Sequence, residues 1–366
     1  MTVTLLLCHF VIRHHMDIQQ LFSETARFEA SDLHFIVGFP PMVRVSGQLR
    51  PIEGTNVLTP QDADALVQSI LTPEHKELFA ANKEVDFSVS SPAGRFRANI
   101  YTQQGSVAAT FRLIPPKIKT IDELGLPAIC HEFVKLRQGL VLVTGPTGDG
   151  KSTTLASMIN TINMKTARHI ITIEDPIEYV YPKGLSIISQ REMHTDTHSW
   201  NIALRSALRE DPDIVLVGEM RDYETIAATL TVAETGHLVF ATLHTNSAGQ
   251  SIDRIVDVFP VNQQQQIRLQ LSSVLEGILA QRLVPALAGG RVAVAEVMTA
   301  SPAIKTTIRE GKTHLVDNII QTSGELGMAL LETSLAKAVK EGKISGEMAN
   351  FYAIRPEDMN RLLKGT

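Results

Sequence analysis

Gly145-Pro146-Thr147-Gly148-Asp149-Gly150-Lys151-Ser152 is the stretch on which the reading of this chain turns. Its glycines free the backbone to aim successive N–H groups at one anion, with no β-carbon in the way. Lys151 adds a mobile positive charge, and Ser152 adds a hydroxyl suited to a hard divalent cation. Every fixed position of the G-x-x-x-x-G-K-[ST] pattern is filled, so a nucleoside triphosphate is the expected ligand. The surroundings agree. Leu140-Val141-Leu142-Val143-Thr144 is an apolar run of buried-strand type, and Thr153 to Ile162 is expected to form a helix whose N-terminus faces the phosphates. Asp149 is the odd member, because a carboxylate beside an anion site is tolerable only with its side chain turned outward.

A length of 366 residues suggests two domains. With 44% hydrophobic and 20% charged residues, the chain can bury sizeable cores and is not of disordered composition. A net charge of −5 argues against a constitutive nucleic-acid binder. Cys8 and Cys130 are the only cysteines and neither has a neighbour at metal-ligand spacing, so a reducing compartment without a disulfide framework is expected. Leu5 to Ile12 is apolar but too short to span a bilayer, and it lacks the flanks of a signal peptide. Residues 1–15 therefore read as an extension ahead of an amphipathic pattern (Ile18, Leu21, Phe22) that opens at Met16. No membrane insertion is expected.

Residues 16–114 read as a small α+β domain. Strand character in Asp32 to Val37 is followed by a Met42–Val45 and Gln48–Arg50 hairpin and by a helix from Thr59-Pro60 to about Leu71. Asp86 to Val89, Gly94 to Tyr101 and Val107 to Leu113 then read as antiparallel strands. Pro115-Pro116 breaks both periodicities, making 115–119 the linker. From 120 to 366, apolar strands alternate with helices, as in a parallel sheet covered on both faces. The expected strands are Leu140–Thr144, His169–Ile173, Ile214–Val217 and Leu238–Leu243, with a mostly helical pattern from Gln263 onward.

Ligands of open parallel sheets bind beyond the carboxyl ends of the strands. Those ends deliver the loop already described, Glu174-Asp175-Pro176-Ile177-Glu178, Gly218-Glu219-Met220-Arg221, and His244-Thr245-Asn246. Glu219 directly follows an apolar strand and is the candidate for orienting or activating an attacking water. Gly218 occupies the place where an aspartate is usual, which shifts expected metal ligation to Glu174 or Asp175 beside Ser152. His244 is the candidate γ-phosphate sensor, whereas His237 lies at the far end of the same strand, roughly 20 Å away, and is expected to pack, cap or sit at a subunit contact. Phosphoryl transfer also needs late positive charge, for which Arg95, Arg97 and Arg112 of the first domain are candidates. Arg205 and Arg209 are expected to share a helix face at i, i+4.

These segments, with Glu234-Thr235-Gly236-His237, resemble the Walker A, Asp, Walker B and His boxes of bacterial secretion ATPases. Within that superfamily the chain is most similar to the PilT-type retraction ATPases of type IV pili, from Met16 to about Ser345. Ser31-Asp32-Leu33-His34 and Ala303 to Glu310 resemble two further motifs of the family, the second with altered middle residues. The resemblance implies a PAS-like N-terminal domain joined to a RecA-like P-loop ATPase domain with a helical C-terminal part, assembled as a homohexamer. It implies ATP and Mg²⁺, with the nucleotide held by Gly145 through Ser152 and by Thr153. It also implies roles for Glu178, Glu219 and both histidines, and interdomain arginines at Arg97 and Arg112. The implied partners are an inner-membrane pilus platform protein and a paralogous retraction ATPase. The implied location is cytoplasmic, peripheral to the inner membrane, with no nucleic acid. A PilU-like accessory or other secretion ATPase, a nucleotide-gated scaffold with little turnover, and a DNA translocase are the competing readings.

Overall fold

The computed structural model describes residues 17–45, 47–114 and 117–364. The expected extension at 1–15, the hairpin residue Ser46, and Pro115 and Pro116 of the linker lie outside the described residues. The chain divides into two compact units, Met1–Pro116 and Lys117–Thr366.

In the first unit, α1 (Ile18–Arg27) precedes β1 (Asp32–Phe35), β2 (Met42–Val45) and β3 (Gln48–Pro51). Two helices follow, α2 (Pro60–Gln68) and α3 (Pro73–Asn82), and then β4 (Glu84–Ser91), β5 (Gly94–Gln103) and β6 (Ser106–Leu113). The α2 start is written in the sequence: the Thr59 side chain accepts from Asp62 N–H while Asp62 reaches back to Thr59, with proline at the first helical position. Strand pairing is antiparallel throughout, in the order β3-β2-β1-β6-β5-β4. Alternation assigns the faces. Phe96, Ala98 and Ile100 of β5 turn into the core, where Phe22 stacks on Phe96 at 4.2 Å between ring centroids. Arg95, Arg97 and Asn99 therefore occupy the opposite face.

The second unit opens with α4 (Cys130–Phe133) and β7 (Gly139–Thr144), continues through α5 (Lys151–Lys165), β8 (His169–Glu174), β9 (Ile187–Glu192) and α6 (Trp200–Ala207), and reaches β10 (Ile214–Val217). Next come α7 (Tyr223–Glu234), β11 (Leu238–Leu243), α8 (Ala248–Asp257), α9 (Val261–Val274), β12 (Leu275–Pro285) and β13 (Arg291–Thr299). Helices α10 (Pro302–Glu310), α11 (Val316–Thr322), α12 (Leu331–Lys340), α13 (Gly346–Tyr352) and α14 (Pro356–Lys364) complete it. The sheet order is β13-β12-β7-β11-β10-β8-β9. The four strands expected from sequence are thus contiguous and parallel, and their polar ends lie side by side. Alternate residues of β7 enter two different cores, Leu140 and Leu142 on one face and Val141 and Val143 on the other. That double burial explains the unbroken apolar run.

The structure adds three strands to those expected and corrects one helix. The region after Gln263 is not simply helical: β12 and β13 pair antiparallel, and β12 runs parallel to β7. Strand β9 adds a parallel edge beside β8. Arg205 and Arg209 do not share a helix, because α6 ends at Ala207 and the chain turns through Asp211 at φ 53° before Pro212.

The C-terminal helices are tied down by charge. Arg355, between α13 and α14, bonds Glu332 of α12 at 2.8 Å, pairs with Asp317 of α11, and lies 3.5 Å from Glu296 of β13. Glu332 and Glu296 are almost wholly buried. Their remaining oxygens are used: Glu332 accepts the amides of Ile354 and Arg355, and Glu296 accepts the Ala248 amide at the start of α8.

Candidate active site

The loop 145–152 joins β7 to α5 at the carboxyl edge of the sheet. Gly145, Gly148 and Gly150 all have positive φ, at 144°, 88° and 79°. At Gly145 a β-carbon would lie 2.4 Å from the Gln281 carbonyl oxygen, so the close approach of β12 alone demands glycine. Gly150 is the N-cap of α5 and offers no capping side chain. The amides of Gly148, Gly150, Lys151, Ser152 and Thr153 bond no acceptor among the described residues. Five such donors at the positive end of a 15-residue helix form a cradle that fits phosphate.

Lys151 Nζ lies within the loop, donating to the Gly145 and Pro146 carbonyls at 2.7 and 2.9 Å. Burial lowers its pKa, opposed by the carboxylates of Glu219, Asp149 and Glu178. Across the edge, His244 Nδ1 lies 3.4 Å from Lys151 Nζ and 3.5 Å from Thr147 Oγ1. Its Nε2 lies 3.1 Å from Glu219 Oε1. With an ammonium and a hydroxyl at Nδ1, the hydrogen-bond network assigns the proton to Nε2, which donates to Glu219. Burial alone would raise the Glu219 pKa, but the 2.8 Å bond from Arg221 and the adjoining imidazole outweigh it, so Glu219 is held below the ordinary carboxyl value. Three strand ends, those of β7, β11 and β10, meet in this run of contacts.

Glu174, at the end of β8, is buried and hydrogen-bonded through both oxygens. Its Oε1 accepts from Thr172 at 2.7 Å and from Gln190 at 3.5 Å, and its Oε2 accepts the Glu178 amide at 3.4 Å. These bonds tie Glu174 to the segment that carries Glu178. Burial pushes its pKa up to about 7. Tyr179 of that segment bonds Thr153 on α5 through its hydroxyl at 2.9 Å. Among the described residues no group of three or more His, Cys, Asp or Glu could hold a metal ion. A Mg²⁺ held by one hydroxyl and by substrate oxygens fits that donor set, and Ser152 at the start of α5 is the residue of that type.

Gly218 also acquires a reason. A β-carbon there would stand 3.2 Å from Glu174 Cα and from the Ile173 carbonyl, and 3.3 Å from the Trp200 ring. An aspartate there would require Glu174 or Trp200 to give way by a few tenths of an ångström. His237 caps the end of α7, with Nδ1 3.1 Å from the Val232 carbonyl and 3.0 Å from Thr235 Oγ1, at the opposite end of β11 from His244.

Sequence reasoning did not identify the support of the loop. Gln281 Nε2 donates to the Asp149 carbonyl at 2.6 Å, while its Oε1 accepts from Thr154 at 2.7 Å. The Asp149 carboxylate accepts the Leu283 amide at 3.1 Å and lies 3.7 Å from Arg282 Nη1. Its side chain is not turned to solvent, being 14% exposed, but folded onto β12. Arg291 of β13 donates to the Gly148 carbonyl at 3.2 Å. The available signal was the pair Gln281-Arg282 inside an otherwise apolar run from Ile278 to Val284.

In the first unit, one row crosses the sheet: Arg44 opposite Asp32, Asp32 opposite Arg112, and Arg112 opposite Arg97. Asp32 is buried beneath two of these cations, at 3.0 Å from Arg112 Nε and 3.8 Å from Arg44 Nε. Arg112 remains 69% exposed at its side chain.

Comparison with known proteins places this chain in a family. Residues 84–289 match the type II/IV secretion system protein family. The chain is 47% identical over 344 residues to the type IV pilus retractation ATPase PilT of Pseudomonas aeruginosa, covering 94% of this chain and 100% of that one. It is 37% identical to the type IV pilus ATPase PilU of the same organism, covering 95% of this chain and 92% of that one. Its fold superposes on the crystal structure of the pilus retraction motor PilT with bound ADP at a TM-score of 0.88, with 45% identity over 94% of this chain and 99% of the other. The chain belongs to the type II/IV secretion system protein family, among its PilT-type pilus retraction ATPases.

Proposed function

We propose that this ATPase hydrolyses ATP at the carboxyl edge of β7, β11 and β10 and, as a homohexameric ring, uses the cycle to power type IV pilus retraction. The contact run Lys151–His244–Glu219 carries the reading. Loop amides and Lys151 hold the β- and γ-phosphates, with Thr153 at the rim. Glu219, kept ionised by Arg221, accepts a hydrogen bond from water and aims its oxygen at the γ-phosphorus. The water oxygen bonds to the γ-phosphorus as the phosphorus–oxygen bond to ADP breaks, the proton lost by that water passes by way of Glu219 to the departing phosphate, and ADP and inorganic phosphate are released. His244 contacts both Glu219 and the loop, so loss of the γ-phosphate is felt at the end of β11. Mg²⁺ at Ser152 supplies charge neutralisation when bound. Glu178, set by the Glu174 anchor, faces the same edge, and the Arg97–Arg112 row supplies cations to phosphate at a subunit boundary.

A scaffold that binds ATP with little turnover would be motivated by Asp149 beside the phosphates and by Gly218 where an aspartate is usual; the β12 contacts of Asp149 and the close neighbours of Gly218 give each residue a structural reason. The names of the relatives support retraction as the output and a PilU-like paralogue as a partner; a membrane platform protein as the second partner and action at the cytoplasmic face of the inner membrane are part of the same proposal. No helix among the described residues is long and apolar enough to cross a membrane. A multiple-turnover assay with Lys151→Ala and Glu219→Ala tests the site: each is expected to lower the ATPase rate by about 10²-fold or more. Full activity in both variants refutes the assignment.

A further inference from the structure

Asp149 brings a negative charge into a loop built to hold phosphate, yet the fold does not turn that charge away to solvent. It seats the carboxylate on β12, where Oδ1 takes the Leu283 amide and Oδ2 faces Arg282. Arg282 is itself 9% exposed, and its Nη1 also donates to the Gln281 carbonyl at 3.0 Å. The same Nη1 would stand 3.5 Å from a β-carbon at Gly145, at the other end of the loop. Arg282 therefore underlies both ends of the phosphate loop. A second buried carboxylate, Glu296, also acts on it. Glu296 holds the Ala248 amide, four residues after His244.

We propose that Asp149 and Arg282 form a counter-charged positioning pair that sets how tightly the loop holds a nucleoside triphosphate. This rests on the nucleotide-site reading above. Without the guanidinium, the buried carboxylate opposes the incoming phosphates and its seat on β12 loosens. Without the carboxylate, the guanidinium adds its field to that of Lys151. The effects are opposite in sign, so removing both should largely restore binding.

The test is a double-mutant cycle on the full chain, read as the Kd of a fluorescent ATP analogue and the KM for ATP. Arg282→Gln is expected to weaken binding about tenfold, Asp149→Ser to tighten it about threefold, and the double variant to return within about threefold of the parent. Arg282→Lys, which keeps the charge, should hold most of the affinity. Unchanged binding in Arg282→Gln, or a double variant as weak as Arg282→Gln alone, overturns the pair. Should Arg282→Gln not fold, Asp149→Ser decides: tenfold weaker binding overturns the proposal, and tighter binding supports it. Lys151→Ala separates the two readings, since unimpaired binding there refutes the nucleotide site itself.

Discussion

Replacing Glu174 by glutamine tests the assignment of this carboxyl as a protonated anchor. Its pKa is raised from an ordinary 4.5 to about 7 by burial. The folded state therefore binds a proton more tightly than the unfolded state. Stability from this group is full below the unfolded value and is lost as pH rises through the folded one. The full loss is about 3 kcal/mol, of which about 0.8 kcal/mol is gone by pH 5, leaving about 2.5 kcal/mol between pH 5 and pH 8. Glutamine cannot titrate. It keeps an oxygen for Thr172 and Gln190 but sets an NH₂ against the Glu178 amide, a cost near 1 kcal/mol that does not vary with pH. The stability of Glu174→Gln relative to the parent should thus climb by about 2.5 kcal/mol from pH 5 to pH 8. Trp200, the only tryptophan, lies on α6 beside Gly218 and reports unfolding of this sheet in urea titrations. A difference that stays flat with pH, or falls, would show that Glu174 is ionised in the fold and would refute the protonated anchor.

Two further outcomes are expected. Gly218→Asp, which restores the usual acidic pair, should cost about 2 kcal/mol by overpacking against Glu174 and Trp200 and should lower the ATPase rate; a faster enzyme of unchanged urea midpoint contradicts this. Arg355→Ala strands Glu332 and Glu296 without their cation and should destabilise the C-terminal helices by about 3 kcal/mol. Hydrogen exchange should accelerate in α12 to α14 and at the Ala248 amide, and undiminished protection there contradicts the latch.

What was legible in the sequence follows from how local each signal is. Strands β10 and β11 match their expected limits because both faces are buried, which forces an uninterrupted apolar run. The loop glycines are equally local, since backbone approach demands them whatever surrounds them. Strand β12 was hidden because Gln281 and Arg282 interrupt its apolar pattern, and both are polar for the sake of the loop. Strand β9 was hidden for the contrary reason: it is an edge, with Ile187 71% exposed, and carries little hydrophobic signal. Asp149 could not be explained from neighbours in sequence, because its partners are on β12. The same holds for Gly218, whose constraint comes from Glu174 and Trp200.

The position of β7 has a consequence for how the protein comes into being. Strand β7 lies between β11 and β12, which both follow it in the chain, so the strand that bears the phosphate loop is made before either neighbour exists. At ~5–20 residues per second, ribosomal synthesis leaves the loop without its floor on the order of ten seconds. During that interval the β7 run, Leu140 to Thr144, is an unpaired apolar strand of the kind chaperones bind. A chain cut short before Leu275 would carry the whole nucleotide motif and still lack the β12 surface that shapes it. Nascent chains arrested at that point should need protection from aggregation more than full-length chains do.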